Sequence, residues 1–525
     1  MEGFRKTAPL GHVGSKTYFD SMSPFNRHFP HDPGCTGTRR QFLTRTGMGF
    51  TGMALSGMMF KDGQAQAASA DDLQGALGWP HHPPRAKSVI WIFLIGGVSH
   101  MESFDPKPEL TKYGGKSMDE TPYKEAADPE RISKILAEPG KEKREVYKKI
   151  FPLIAGHRPR GESGIEVSDL FPHIGGMIDD IAVMRGMWTI DNNHGAQLTF
   201  HTGRKIGDTG HPSIGSWASY GLGSLNANLP EYVVLGEPSA DCCGRSFTHG
   251  SAYLGPRHAG IRLDVDPKNP LSYVRSADEK STFEEQREAL TLLGQLNELA
   301  GIDYPKDPDL LARIKSYELA FLMQSAVPEV MDLTQEPEHV RTMYGMDRKE
   351  CQAFGSQCLA ARRLVERGVR FVQLFHGYSG NAGRWDNHRD IAKTFPVLAN
   401  EVDQPVGGLL RDLKQRGMLD ETLVVWGTEF GRTPGAEFRD KNVSGTGRDH
   451  HPHGFSCWMA GGGVKGGIVH GATDELGFHA VEERHYVTDI HATVLHQLGL
   501  NHRYSFPGRQ RLEQDFGEVI RGILA

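Results

Sequence analysis

The sequence predicts an α/β protein: a mostly parallel central sheet with helices on both faces. Two observations carry this. Short, wholly apolar runs recur along the chain and stop at glycines or polar clusters, as strands buried on both faces do. Between them lie helical stretches that end at glycine and run into the next apolar segment, the alternation that builds parallel sheets.

The first strand is SVIWIFLIGG (Ser88 to Gly97), and DIAVMRGM (Asp180 to Met187) reads the same way. LAARRLVERG (Leu359 to Gly368) is helical and leads into the strand VRFVQLF (Val369 to Phe375). The pattern repeats as the helix VGGLLRDLKQRGML (Val406 to Leu419) and the strand ETLVVWGTEFG (Glu421 to Gly431). GFSCWMAGGG (Gly454 to Gly463) is a further strand, and VTDIHATVLHQLGL (Val487 to Leu500) a late helix packed back on the core. Two insertions interrupt the α/β unit of residues 86–525. One spans about 104–151; the other spans about 208–334 and carries a helix at LLARIKSYELAFLMQSA (Leu310 to Ala326).

Composition excludes some classes. In 525 residues, 38% hydrophobic and 24% charged side chains describe an ordered globular protein. A net charge of −6 without a long basic stretch offers no phosphate-binding footprint, so no nucleic-acid partner is expected. The amino end reads as an export signal over residues 1–67. TRRQFLT (Thr38 to Thr44) supplies twin arginines, Thr46 to Phe60 a Gly-rich apolar run, and AQAASA (Ala65 to Ala70) a small-residue cleavage site, cut after Ala67. Twin arginines specify the Tat translocase and a periplasmic or secreted destination. The apolar run is too short and too rich in glycine for a stable membrane span. Removing Cys35 with the signal leaves Cys242, Cys243, Cys351, Cys358 and Cys457, an odd set with no C-x-x-C pair: neither a disulfide framework nor a thiolate zinc site.

In parallel sheets the active groups gather beyond the carboxyl ends of the strands. Three polar clusters meet that test. RWDNH offers Asp386 and His388, two apart and on one side of an extended segment. TEFGR offers Glu429 and Arg432, and GRDHHPHG packs Asp449, His450, His451 and His453 beside Arg448. Carboxylates with imidazoles suit a divalent metal, zinc or manganese rather than calcium. Such an ion polarises an ester oxygen or makes hydroxide from water near neutral pH. The bland reading of each cluster alone is a solvated histidine beside a helix-capping aspartate. GGVSHMESFDPKP, after the first strand, adds Glu102 or Asp105 as a further ligand, or simply opens a turn. Asp489 reads as a helix cap or as the partner of a ligand.

NHGAQLTFHTGR (Asn193 to Arg204) resembles the sulfatase signature, in which Cys or Ser, x-Pro-x-Arg and Thr-Gly-Arg appear in turn. Here Asn193 holds the nucleophile's place and Gln197 the activating arginine's. The segment follows a strand and reads as a helix start, where backbone N–H groups favour an anion; the alternative is a helix capped by Asn193 and nothing more.

Longer motifs extend the resemblance. FDPKPEL (Phe104 to Leu110), HPSIGSWASYGLGSLNANLPEYVVL (His211 to Leu235), SYELAFLMQSAVPEV (Ser316 to Val330), WDNH (Trp385 to His388), TEFGRTP (Thr428 to Pro434) and GRDHHPHGF (Gly447 to Phe455) are similar to the domain-of-unknown-function 1501 family of Tat-exported bacterial proteins. That family is placed in the alkaline-phosphatase and sulfatase-like superfamily. The resemblance implies a three-layer α/β sandwich with a metal site at the sheet edge. It carries the ligand roles to Asp386, His388, Glu429, Asp449 and His450, with Glu102 beside them. Two departures stand out: Gly96 and Gly97 replace an acidic pair after strand one, and Asn193 excludes a formylglycine mechanism. The expectation is an exported, metal-dependent hydrolase of phosphate or sulfate esters, on small molecules or glycans. Attack would come from metal-bound hydroxide or from His194 (less readily Ser99 or Thr199) as covalent nucleophile. Arg432, Arg448 and Arg204 are candidates to hold the ester oxygens. The alternative is a non-catalytic protein that binds a metal or anion and docks glycans or a partner.

Overall fold

The computed structural model describes residues 80–525 except 128–144, 147–148, 209, 239–243, 267, 269, 271–282, 304–318, 320–321, 325, 381, 440–441, 444 and 504–516. The export signal, Cys242 and Cys243, and most of the helix expected at Leu310 to Ala326 fall outside the described residues.

Strand β1 (Ser88–Leu94) is buried along its whole length. Its side chains alternate between two cores. Ile90, Ile92 and Leu94 join one; Val89, Trp91, Phe93 and Ile95 join the other. A strand sandwiched between helices needs apolar residues on both faces, which is why its sequence is continuously apolar. Each such side chain contributes roughly 1.5–3 kcal/mol of burial.

Around β1 the sheet takes in β2 (Ile181–Trp188), β3 (Tyr232–Leu235), β4 (Ile261–Leu263), β5 (Phe371–His376), β6 (Thr422–Gly427), β7 (Phe455–Ala460), β8 (Ile468–His470) and β9 (His485–Tyr486). The order is β8-β2-β7-β6-β1-β5-β3-β4, with β9 also paired to β2. All pairings are parallel except those of β7, which runs against both β2 and β6. That exception matters. A reversed strand brings its amino end, not its carboxyl end, to the edge where the other strands finish. The segment before β7 therefore meets the segments after β2, β5 and β6.

On one face lie α3 (Lys349–Glu366) and α4 (Ile391–Gln415); on the other, α1 (Ala196–Thr202), α2 (Ile214–Leu222) and α5 (Val487–Gln497) contribute Phe200, Trp217 and Ile490 to the second core. The layers are helix, sheet, helix, as expected. Helix α4 begins fifteen residues before Val406, the expected start, and continues through Pro396 and Pro405. Each proline removes a backbone donor. The cost is offset by a continuous stripe, Phe395, Leu398, Val402, Val406, Leu409 and Leu413, buried against the sheet. No described helix is long and apolar enough to cross a membrane.

Candidate metal centre

RWDNH is fixed first by Trp385. Its indole is fully buried and donates to His376 Nδ1 at 3.0 Å, while its backbone N–H donates to Ile95 O at 3.1 Å. This draws the backbone of Asp386 against Gly96. Gly96 sits at φ +127°, and a Cβ there would lie 2.4 Å from Asp386 N; Gly97, at φ +84°, would meet the ring of Phe430 at 2.4 Å. The space beside Gly96, where an acidic pair was expected, is thus filled by the chain carrying Asp386, and that beside Gly97 by the Phe430 ring. Asp386 and His388 reach the same side through tight turns, Asn387 N to Trp385 O and His388 N to Asp386 O, instead of the extended segment expected.

Arg432 locks this arrangement. Fully buried, it donates to Gly96 O, to Gly97 O at 2.7 Å, Arg448 O at 3.0 Å, Trp385 O at 3.2 Å and Asp386 Oδ1 at 2.8 Å. Its donors are spent on protein, so it positions Asp386 and does not face an ester.

Three imidazoles converge on Asp386. His450 Nε2 and His388 Nε2 each lie 2.9 Å from Oδ1 and 2.9 Å from one another; His194 Nε2 lies 3.4 Å from Oδ2. Behind each ring stands an oxygen on the Nδ1 side. His194 Nδ1 donates to Glu429 Oε1 at 3.1 Å and His450 Nδ1 to the Asn192 carbonyl at 2.9 Å, while Asp449 Oδ1 is 3.8 Å from His388 Nδ1. A carbonyl can only accept, so the His450 proton sits on Nδ1 and the neutral ring turns a lone pair toward Asp386. Lone pair against carboxylate at that distance repels unless a cation stands between them. His194 and His450, with Nε2 inward and Nδ1 hydrogen-bonded from behind, have the arrangement of metal-ligating histidines. Metal bonds of about 2.0–2.2 Å place ligand atoms roughly 3.3 Å apart in a tetrahedron, close to the spacings here.

Charge follows geometry. Burial alone would lower the pKa of His194, but Asp386 and Glu429 raise it to about 9. Burial works against ionised Asp386 too, yet the three histidines and Arg432 hold its carboxyl well below the usual range. His450 is kept well below its ordinary value by burial first, then by Arg432 and the neighbouring imidazoles.

Other expected residues stand elsewhere. Glu429 is fully buried and takes N–H groups from Gly96 at 2.8 Å and Gln197 at 3.4 Å, behind His194. Asp449 accepts His450 N–H at 2.7 Å and groups with His388 and His450 as a second set of ligand-type side chains at the cleft, so it keeps its place as a candidate ligand. Glu102 and Arg448 are spent on each other as a buried pair at 2.8 Å, and Ser99 also bonds Glu102. Neither reaches the cleft: Arg448 gives its remaining donors to the carbonyls of Thr433, Pro434, Phe151 and Pro152. Thr199 is buried within α1, and Arg204 faces Asp208 at 3.6 Å. Asn193 is exposed at the cleft, its Oδ1 accepting His194 N–H at 2.8 Å. It is not the cap of α1; Gly195 is. The cleft, about 630 Å3, is lined by Asn193, His194, Asp386, His388, His450, Arg384 and Arg389 among others. Sequence reasoning missed the two arginines, although both flank WDNH. Arg384 is held bidentate by Glu401 at 2.7 Å, and Arg389 is exposed.

The family profile DUF1501, described as protein of unknown function, matches residues 86–524. The chain belongs to that family. No protein of curated function matches it. Similar solved structures include the PsFucS1 sulfatase from a Pseudoalteromonas species, at 13% identity, 68% of this chain, 66% of that chain and a TM-score of 0.31. The chain thus spans just under two thirds of that sulfatase. Phosphonate monoester hydrolase SpPMH from Silicibacter pomeroyi is 13% identical over 67% and 71% of the two chains, with a TM-score of 0.30. The alkaline phosphatase of the Antarctic bacterium TAB5 is 12% identical over 79% and 98%, with a TM-score of 0.29.

Proposed function

We propose that this DUF1501 protein is an exported, metal-dependent hydrolase of phosphate or sulfate esters that works without a side-chain nucleophile at position 193. The observation that carries this is the convergence of His194, His388 and His450 on Asp386 in an open cleft, with His194 and His450 hydrogen-bonded from behind by Glu429 and the Asn192 carbonyl. The three histidines and Asp386 would hold zinc or manganese, with Asp449 a further candidate ligand beside His388 and His450; Glu429 would orient His194. When bound, the ion supplies Lewis-acid polarisation of an ester oxygen. The chain does the rest. Arg432 and the two glycines fix Asp386, Trp385 fixes the loop, and Arg389 at the rim meets the anionic group. His194, between Glu429 and Asp386, has both ring nitrogens engaged and acts as a ligand in this reading, not as a covalent nucleophile. Export through the Tat route would deliver the protein folded and loaded.

Asn193 favours the rival, a protein that binds metal or anion without turnover. Elemental analysis of the folded protein, beside His388→Ala with His450→Ala, separates the cases when followed by a screen of aryl phosphates and sulfates. Bound zinc or manganese, at least one ion fewer per chain in the variant, and turnover that tracks the ion support the hydrolase. An ion without turnover leaves the binding protein; no difference in metal between the two proteins sinks the cleft site.

A further inference from the structure

A second group of ligand-type side chains lies away from the cleft. His470 ends β8, His485 begins β9, and Glu483 stands between them in sequence. The two imidazoles are nearly parallel, 25° apart, with Nε2 atoms 2.9 Å from each other; Glu483 Oε2 is 3.9 Å from His470 Nε2. His485 Nδ1 donates to Asp489 Oδ2 at 2.8 Å, which turns the Nε2 lone pair toward His470. Asp489 is held in turn by the Glu518 N–H at 2.8 Å. A carboxylate behind a ligating imidazole is again the outer-sphere arrangement of a metal site. Glu483 is 67% exposed, at φ +40°, where a non-glycine backbone is strained, and the group opens on a groove of about 540 Å3.

We propose that His470, Glu483 and His485 form a second site for a divalent transition ion, zinc by its ligand chemistry, and that this ion is a structural staple. Two histidines and one carboxylate are a zinc donor set with room for water. The staple closes the base of the excursion between β8 and β9. That excursion packs behind the cleft: Phe478 stacks on His451 with centroids 4.3 Å apart, Ala480 N donates to His453 O at 2.7 Å, and His100 Nε2 donates to Gly477 O at 2.7 Å. Fixing both ends of the loop therefore steadies the strand-entry segment that carries His450. The proposal does not depend on hydrolysis in the cleft.

The test uses full-length mature protein with His388→Ala and His450→Ala, stripped of metal and titrated with Co2+. One ion per chain, visible d–d absorption and a raised unfolding midpoint are expected. Adding His470→Ala and His485→Ala should abolish all three. Adding Glu483→Ala instead, an exposed change that leaves the circular dichroism unaltered, should weaken Co2+ binding at least about tenfold. In the otherwise wild-type chain, Glu483→Ala should weaken one equivalent of Co2+ by at least about tenfold and leave the cleft's share of the titration unchanged. No uptake by the His388→Ala, His450→Ala protein, uptake that survives His470→Ala with His485→Ala, or an affinity that Glu483→Ala leaves unchanged overturns the staple.

Discussion

Asp386 was readable as a candidate ligand from its residue type and its place after a strand; its neighbours were not sorted as easily. Glu429 and His450 both follow the rule that metal sites gather acids and imidazoles, but only contact tells a ligand from the residue behind it. Glu429 gives its oxygens to backbone and imidazole N–H groups, so it orients His194. If the cleft binds metal as proposed, Glu429→Gln should weaken that binding by about 10–100-fold, measured by competition with a chelator, while saturating metal still fills the site. Unchanged affinity would remove that role. Glu102 makes the contrast. Paired with Arg448 at no exposure, it is a core ion pair. Glu102→Gln should cost about 3–5 kcal/mol in equilibrium unfolding, because it leaves a buried guanidinium uncompensated, and leave metal content unchanged. Loss of metal without loss of stability would restore it as a ligand.

At the scale of elements, the strands β1, β2, β5, β6 and β7 were legible because strands buried on both faces are apolar throughout. The short β3 and β4 were not singled out: four and three residues give too little pattern to separate from loop. The first half of α4 was hidden by its prolines, whose local penalty is outweighed only by tertiary burial. The direction of β7 was equally invisible, yet it decides that GRDHHPHG reaches the site. The turn after β1 carries a prediction of its own. Gly96→Ala puts a Cβ into Asp386 N and demands φ +127° of an alanine. Backbone strain alone is about 1–3 kcal/mol, so the variant should unfold at lower denaturant and hold metal more weakly. Wild-type values for both would mean that the close approach of WDNH to β1 is not required.

Across the whole molecule, the family was legible from its long motifs and the layer order from the alternation of apolar strands with helices, while the couplings between layers depend on contacts far apart in the chain. Asp403 is one such coupling. It lies on the buried face of α4 and accepts the backbone N–H groups of His173 at 2.9 Å and Ile174 at 2.8 Å, joining α4 to the turn that precedes β2. Burial pushes its carboxyl up to about 6, although those N–H groups pull the other way. A carboxyl raised on folding takes up a proton when the chain folds, so its contribution is favourable below the unfolded value near 4 and is lost as pH rises through 6. Asparagine at 403 cannot ionise. The stability of wild type relative to Asp403→Asn should therefore fall by up to about 3 kcal/mol between pH 4 and pH 7. Paired urea melts at those two pH values read this directly, since other titrating groups cancel in the difference. If the gap widened in favour of wild type on raising the pH, the N–H groups would outweigh burial, and Asp403 would hold the two segments together best as an anion.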